Sequence, residues 1–291
     1  MMKSSMLKLL MGSLVASSVA FGGSLITAPS TLDDKITNFF LNAIETQNSP
    51  YRIKSISVRG HKDLEQIPGW KVYFVDIDLE IKKNKKDMMV YEKVFTNGKY
   101  IAKDFLTIDK KASLKRMISV DITDKSIYNK KHLIYGTGNE PHKIIAFSDP
   151  VCPFCQNFMP GFLQEVKSHP GKASVYYYHL PLERLHPASP TISRLMLAAR
   201  AKGIKDVELK VYEGKDYFKY NETDEDKIIR AFNKVMGTSF TKADIHTKKI
   251  DDELKEDRKY IDQLMISGTP TVYVDGKKDD TRELYKKALG I

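Results

Sequence analysis

The feature that most limits how this chain can fold is Cys152-Pro153-Phe154-Cys155, which holds the only two cysteines among 291 residues. An apolar run, Ile144-Ile145-Ala146-Phe147, lies just ahead and reads as a short buried strand. Asp149-Pro150 marks a turn, and Gln156 to Leu163 reads as the opening turns of a helix. The pair therefore falls at a predicted strand-to-helix junction. Positions i and i+3 share a helix face, so the two sulfurs can close a small disulfide ring and open it again. A cysteine at a helix N-terminus meets unpaired backbone N–H groups and the positive end of the helix dipole, which favour thiolate over thiol. Thiolate is the attacking species in thiol-disulfide exchange.

Two blander roles compete with a redox pair. A structural bridge closing so short a loop would remove little entropy from the unfolded chain and stabilise poorly. A zinc half-site lacks the second pair of soft ligands that structural zinc centres use, so no metal and no cofactor are expected. The N-terminus has the pattern of an export signal over residues 1–20: Lys3 and Lys8, a mostly apolar or small stretch from Leu9 to Ala20, and the small-x-small site Ser18-Val19-Ala20. The apolar run is too short to span a bilayer. Export would place the cysteines where disulfides form and persist. The formal charge of +10 is spread along the chain, with lysines interspersed among acids. It suits a solvated surface, and no stacking platform with a companion basic groove points to nucleic acid.

Read in order, Thr31-Leu32-Asp33-Asp34 opens a helix whose apolar positions are Ile36, Phe39, Phe40, Ala43 and Ile44. Strands are expected at Tyr51–Gly60, Trp70–Ile81, Met88–Phe95 and Tyr100–Ile108. In the first, Ile53 is out of phase with Ile56 and Val58. Lys82 to Lys86 reads as a hairpin tip, and Thr96-Asn97-Gly98-Lys99 as a hairpin turn. One helix on an antiparallel meander makes an α+β domain over 21–108. Its open edge strand can be paired by a second copy or capped by loops of a single chain. Residues 109–130 read as a helical linker, with Leu114, Met117, Ile118 and Ile122 on one side. From 131 to 291 the pattern is α/β: a strand near Leu133–Tyr135, the strand before the cysteines, the cysteine helix, and an aromatic strand from Ala173 to Leu180. A helical insertion over about 187–264 follows, with helices at Thr191–Lys202, Val207–Tyr212, Glu225–Met236 and Thr241–Leu264. Ile266 to Val274 returns as a strand and Thr281 to Leu289 closes as a helix. Tyr176-Tyr177-Tyr178 are expected to pack within their strand. Asp149 is expected to shape the turn, and His179 and His186 to be ordinary hydrogen-bonded or surface histidines near the active face.

Cys152-Pro153-Phe154-Cys155 followed later by Ser267-Gly268-Thr269-Pro270-Thr271 before a strand and terminal helix resembles the thioredoxin-like fold. More closely, the chain resembles the bacterial periplasmic thiol-disulfide interchange proteins of the DsbC/DsbG group. The resemblance covers residues 143–291 well. It extends more loosely to Ile67-Pro68-Gly69-Trp70 and the hairpin from Phe95 to Ile101. It implies an exposed nucleophilic Cys152, a buried resolving Cys155, and an opposing loop in which Thr269 and a cis Pro270 face the sulfurs and hold substrate main chain beside Pro153 and Phe154. It also implies a homodimer formed through the N-terminal domain. The expected activity is disulfide isomerase or reductase on unfolded or misoxidised secreted proteins, with a membrane reductant of the DsbD type. Two alternatives stand beside it: a disulfide-forming oxidase of the DsbA type, re-oxidised by a DsbB-like acceptor, and a holding chaperone for which the redox chemistry is secondary.

Overall fold

The computed structural model describes residues 31–109 and 111–291, in two compact units that divide after Ile118. The export signal over 1–20 lies outside the described residues. The stretch 109–130, read as a linker, is shared between the units. It carries one short helix, α2 (Leu114–Met117), where at least a short one-sided helix was expected, and one 3-10 turn (Lys125–Ile127).

In the N-terminal unit, helix α1 (Leu32–Ile44) starts at a capping box in which Thr31 and Asp34 satisfy each other's backbone N–H groups. Its buried residues, Ile36, Phe40 and Ile44, lie on Tyr73, Val75, Ile77 and Leu79. The sheet runs β1 (Tyr51–Asp63), β2 (Lys71–Ile81), β3 (Lys86–Thr96) and β4 (Ile101–Ala102), in sequence order and antiparallel. The phase fault in β1 is a bulge. Ile53 stands opposite Leu79 and Ile56 opposite Ile77, with Lys54 as the extra residue between them. The insertion brings both isoleucines to the core face, and Lys54 turns outward to bond Asp87 at 2.9 Å. β4 is far shorter than the expected Tyr100–Ile108. Beyond Ala102 the Asp104 carboxylate takes the Ser113 hydroxyl and the Lys115 backbone N–H, drawing the chain off the ladder. That turn sets Phe105 against Trp70 and Phe95, which is why β2 is buried on both faces near Val72 and Phe74.

The C-terminal unit is built on a five-stranded sheet in the order β5-β7-β6-β8-β9: β5 (Leu133–Tyr135), β7 (Ala173–His179), β6 (His142–Ser148), β8 (Thr271–Val274) and β9 (Lys277–Lys278). β6 and β7 are parallel, and β8 is antiparallel to β6. Helix α3 (Pro153–Ser168) makes the crossover between β6 and β7. Ile144, Ala146, Val175 and Tyr177 face α3 and helices α4 (Ser189–Ala201), α5 (Val207–Glu213) and α6 (Glu225–Met236). Ile145, Phe147, Tyr176, Tyr178 and Tyr273 face the other side, under Tyr260 and Ile261 of α8 (Lys248–Gln263) and its C-cap Leu264. The tyrosine run is strand packing, as its alternation required.

The helix expected over Thr241–Leu264 is two helices. Thr241 and Asp244 form a capping box for α7 (Lys242–Ile245), and Thr247 caps α8 by accepting from Ile250 N–H. A second cap six residues after the first restarts the chain in a new direction. The last helix, α9, spans only Leu284–Leu289. Arg282 has φ of 62°, outside the helical range, and Asp279 accepts from Glu283 and Tyr285 N–H to fix the later start.

Candidate active site

Cys152 is the N-cap of α3 and Pro153 fills its first turn, where a missing N–H costs nothing. The turn leading into it is held by Asp149, which is fully buried. Its Oδ1 accepts from Val151 N–H at 2.9 Å, and its Oδ2 accepts from Leu182 N–H and pairs with His186 Nδ1, each at 2.9 Å. Cys152 N–H donates to the Asp149 carbonyl at 3.2 Å. One carboxylate thus ties the cysteine turn to the loop after β7. Its role is structural, and His186 is a hydrogen-bonded partner, as the bland expectation had it. His179 differs: it is buried with no partner on either ring nitrogen, and burial holds its pKa well below the usual histidine range.

The two cysteines are unbonded thiols. Cys155, one turn into the helix, is completely buried, as expected. Cys152 is only 4% exposed, whereas the resemblance implied an open sulfur. The loop across from it supplies the cover: the Thr269–Pro270 peptide is cis, and the Thr269 carbonyl lies 3.8 Å from Cys152 Sγ. The residues that do face solvent are Pro153 and Phe154 between the two cysteines, Phe154 being 73% exposed.

The electrostatics of the pair are split. The Cys152 pKa is lowered to about 5, first because Cys155 hydrogen-bonds to it, then through Thr269 and the backbone N–H groups of Cys155 and Phe154, against an opposing burial cost. Cys155 moves the other way, raised chiefly by burial and further by its bond to Cys152. The Thr269 hydroxyl is buried, has no hydrogen bond of regular geometry, and favours the thiolate form of both sulfurs. The arrangement therefore offers one ionised sulfur at a helix mouth and one protonated sulfur directly behind it. Among the described residues no group of three or more metal-ligating side chains converges.

Ser148 and Tyr212 also belong to this site, and nothing in the sequence marked them. Ser148 ends β6 and bonds Tyr212 of α5 at 2.6 Å, and Tyr212 bonds Tyr177 of β7 at 2.8 Å. Ser148 is completely buried, and its hydroxyl favours the thiolate form of Cys155.

A thioredoxin family model matches residues 128–289, more than half of the chain, and spans both cysteines and the Thr269–Pro270 loop. The chain belongs to the thioredoxin family. Solved structures similar to this member include a thioredoxin-like oxidoreductase from Silicibacter pomeroyi DSS-3, 18% identical, which covers 58% of this chain and 96% of its own with a TM-score of 0.46. ScsC of Proteus mirabilis in a transitional conformation is 20% identical over 57% of this chain and 76% of its own, with a TM-score of 0.45. BdbD of Bacillus subtilis is 16% identical over 56% and 95%, also at 0.45. Similarity in sequence extends to curated Na(+)/H(+) antiporters named NhaA 1, from Mycobacterium sp. (strain KMS) at 28% identity over 151 residues and from Mycolicibacterium gilvum (strain PYR-GCK) at 25%. The match takes in half of this thioredoxin-family chain, which spans about a quarter of the length of those relatives. No helix among its described residues is long and apolar enough to cross a membrane.

Proposed function

We propose that this thioredoxin-family chain is a thiol-disulfide oxidoreductase of exported proteins, working in the periplasm as an isomerase or reductase of the DsbC/DsbG kind. The observation that carries the proposal is the split pair at the mouth of α3: Cys152 ionised at neutral pH, and Cys155 protonated one turn behind it. Cys152 thiolate attacks one sulfur of a wrongly paired substrate disulfide. A Cys152–substrate S–S bond forms, the substrate S–S bond breaks, and the second substrate sulfur leaves as thiolate. A substrate thiol that then attacks the mixed disulfide frees Cys152, and the substrate has been isomerised with no net redox change. If Cys155 attacks instead, Cys152 and Cys155 become a disulfide and the substrate leaves reduced by two electrons. The enzyme then needs a reductant, which we assign to a membrane partner of the DsbD type. Pro153, Phe154, Thr269 and Pro270 are the proposed substrate-contact residues. The exposed Phe154 ring offers an apolar surface to an unfolded chain.

One observation favours a second reading. A strongly lowered Cys152 pKa stabilises the reduced pair, which makes the disulfide form a better oxidant, as a DsbA-type oxidase served by a DsbB-like acceptor requires. Trapping the in-cell redox state with a thiol-reactive mass tag separates the two. The isomerase or reductase role predicts mostly reduced protein, and mostly oxidised protein would move the assignment to the oxidase. Replacing both cysteines by serine tests the chemistry itself. Insulin reduction and rescue of a scrambled multi-disulfide substrate should vanish, whereas a protein acting only as a holding chaperone would keep its effect on aggregation.

A further inference from the structure

The resolving step raises a problem that Cys152 does not have. Cys155 must attack as thiolate, yet it is fully buried, and burial disfavours its ionised form. Among the described residues no Asp, Glu, Lys or Arg side chain is bonded to either sulfur. The groups that favour the Cys155 thiolate are the Asp149 backbone and then the hydroxyls of Ser148 and Thr269. Ser148 is completely buried at the last position of β6, with its carbonyl accepting from Leu180 N–H across the parallel ladder. Its Oγ lies 2.6 Å from the Tyr212 hydroxyl, which lies 2.8 Å from the Tyr177 hydroxyl. Both tyrosines are fully buried in the cluster that contains Cys155.

We propose that Ser148, Tyr212 and Tyr177 form a donor chain aimed at Cys155, and that this chain stabilises the Cys155 thiolate during resolution of the mixed disulfide. It rests on the thiol-disulfide reading above. Each hydroxyl has one proton to give. Tyr177 stands at the closed end, and among the described residues its acceptors are the other two hydroxyls. If Tyr177 donates to Tyr212, and Tyr212 to Ser148, the Ser148 proton is left for the sulfur. Linked hydroxyls polarise one another, so the last bond is stronger than an isolated one. Burial drives both tyrosine pKa values well above the ordinary range, so these phenols donate hydrogen bonds without acting as bases. The Cys155 proton therefore leaves with the substrate. Cys155 thiolate attacks Cys152 Sγ, the Cys152–Cys155 bond forms, the bond from Cys152 to the substrate sulfur breaks, and the departing substrate thiolate takes up a proton. Ser148 is the proposed donor to the reacting sulfur, and Tyr212 and Tyr177 are positioning residues.

The chain is tested by following one equivalent of the chromogenic aromatic disulfide dithiobis-nitrobenzoate against the reduced, full-length protein. Attack by Cys152 releases the first aromatic thiolate, and attack by Cys155 on the mixed disulfide releases the second. Tyr212→Phe keeps the ring and removes only the hydroxyl. At neutral pH its second release should slow by about tenfold, the scale of one hydrogen bond to a charged group, with its pH profile displaced upward by about one unit. The first release should be unchanged, because Cys152 is already ionised. Ser148→Ala should slow the second release at least as much, Ser148→Thr should restore most of it, and Tyr177→Phe should have the smallest effect. A second release at the wild-type rate in both Tyr212→Phe and Ser148→Ala would overturn the donor chain while leaving the thiol-disulfide reading standing. Equal slowing of both releases would also overturn it, since that is the mark of general loosening. Failure of the wild-type protein to give any second release would overturn both.

Discussion

At the residue scale, the site depends on a few buried groups whose partners are fully specified. Asp149 accepts from two backbone N–H groups and pairs with His186, so its loss would strand three partners at once, two of them buried. Asp149→Ala should destabilise the protein by about 3 kcal/mol, read as a lower denaturant midpoint at unchanged slope. A variant as stable as the wild type would show that the turn holds itself. Cysteine identity and spacing were legible in the sequence because helix geometry alone places positions i and i+3 together. The turn-shaping role of Asp149 was legible as well. Cover over Cys152 was not, since Thr269 arrives from more than a hundred positions away in the chain. The Ser148, Tyr212 and Tyr177 chain was illegible for the same reason: a hydroxyl carries no pattern until the fold brings it to its partners.

At the element scale, local signals succeeded where they were self-contained. The capping box at Thr31, the hairpin turn at Thr96–Lys99 and the strand-to-helix junction at Cys152 each follow from neighbouring residues. Elements failed where a distant or competing contact decided. β4 was cut short by the Asp104 bonds, the long helix was split by a second cap at Thr247, and the β1 phase fault was a bulge that only pairing with β2 reveals. Gly276 shows the same dependence. It turns β8 into β9 at φ of 85°, and its carbonyl accepts from Ile122 N–H at 2.8 Å. A Cβ there would lie 2.8 Å from the Ile122 carbonyl oxygen. Gly276→Ala should therefore lower stability by about 2 kcal/mol or more, through left-handed backbone strain plus the clash with a backbone oxygen. A melting temperature within error of the wild type would show that residues 119–124 can shift without loss.

At the scale of the whole molecule, the chain is two units with separate cores, and the thioredoxin family match lies wholly within the second. The division after Ile118 falls within the lysine-rich stretch of weak periodicity over 109–130. Among the described residues of the N-terminal sheet, β1 is paired on one side only, by β2, along a strand of 13 residues. An edge of that length is a template for another strand, and a second copy of the chain is the proposed occupant. Light scattering on the exported form should give twice the chain mass, and a monomer mass at working concentrations would remove the dimer from the account. Acid stability should follow the cysteine pair. Cys152 titrates lower in the folded than in the unfolded chain, so its contribution to the reduced protein is full above the ordinary thiol pKa and is lost as pH falls through about 5.

The central claim is the ionised sulfur at the mouth of α3, and ultraviolet thiolate absorbance of the reduced protein, titrated with and without Cys152→Ser, measures it most directly. The account predicts a single transition with its midpoint at about 5 that disappears in the variant. A transition near about 8.5, the value of an ordinary free cysteine, or a signal that survives loss of Cys152, would contradict it.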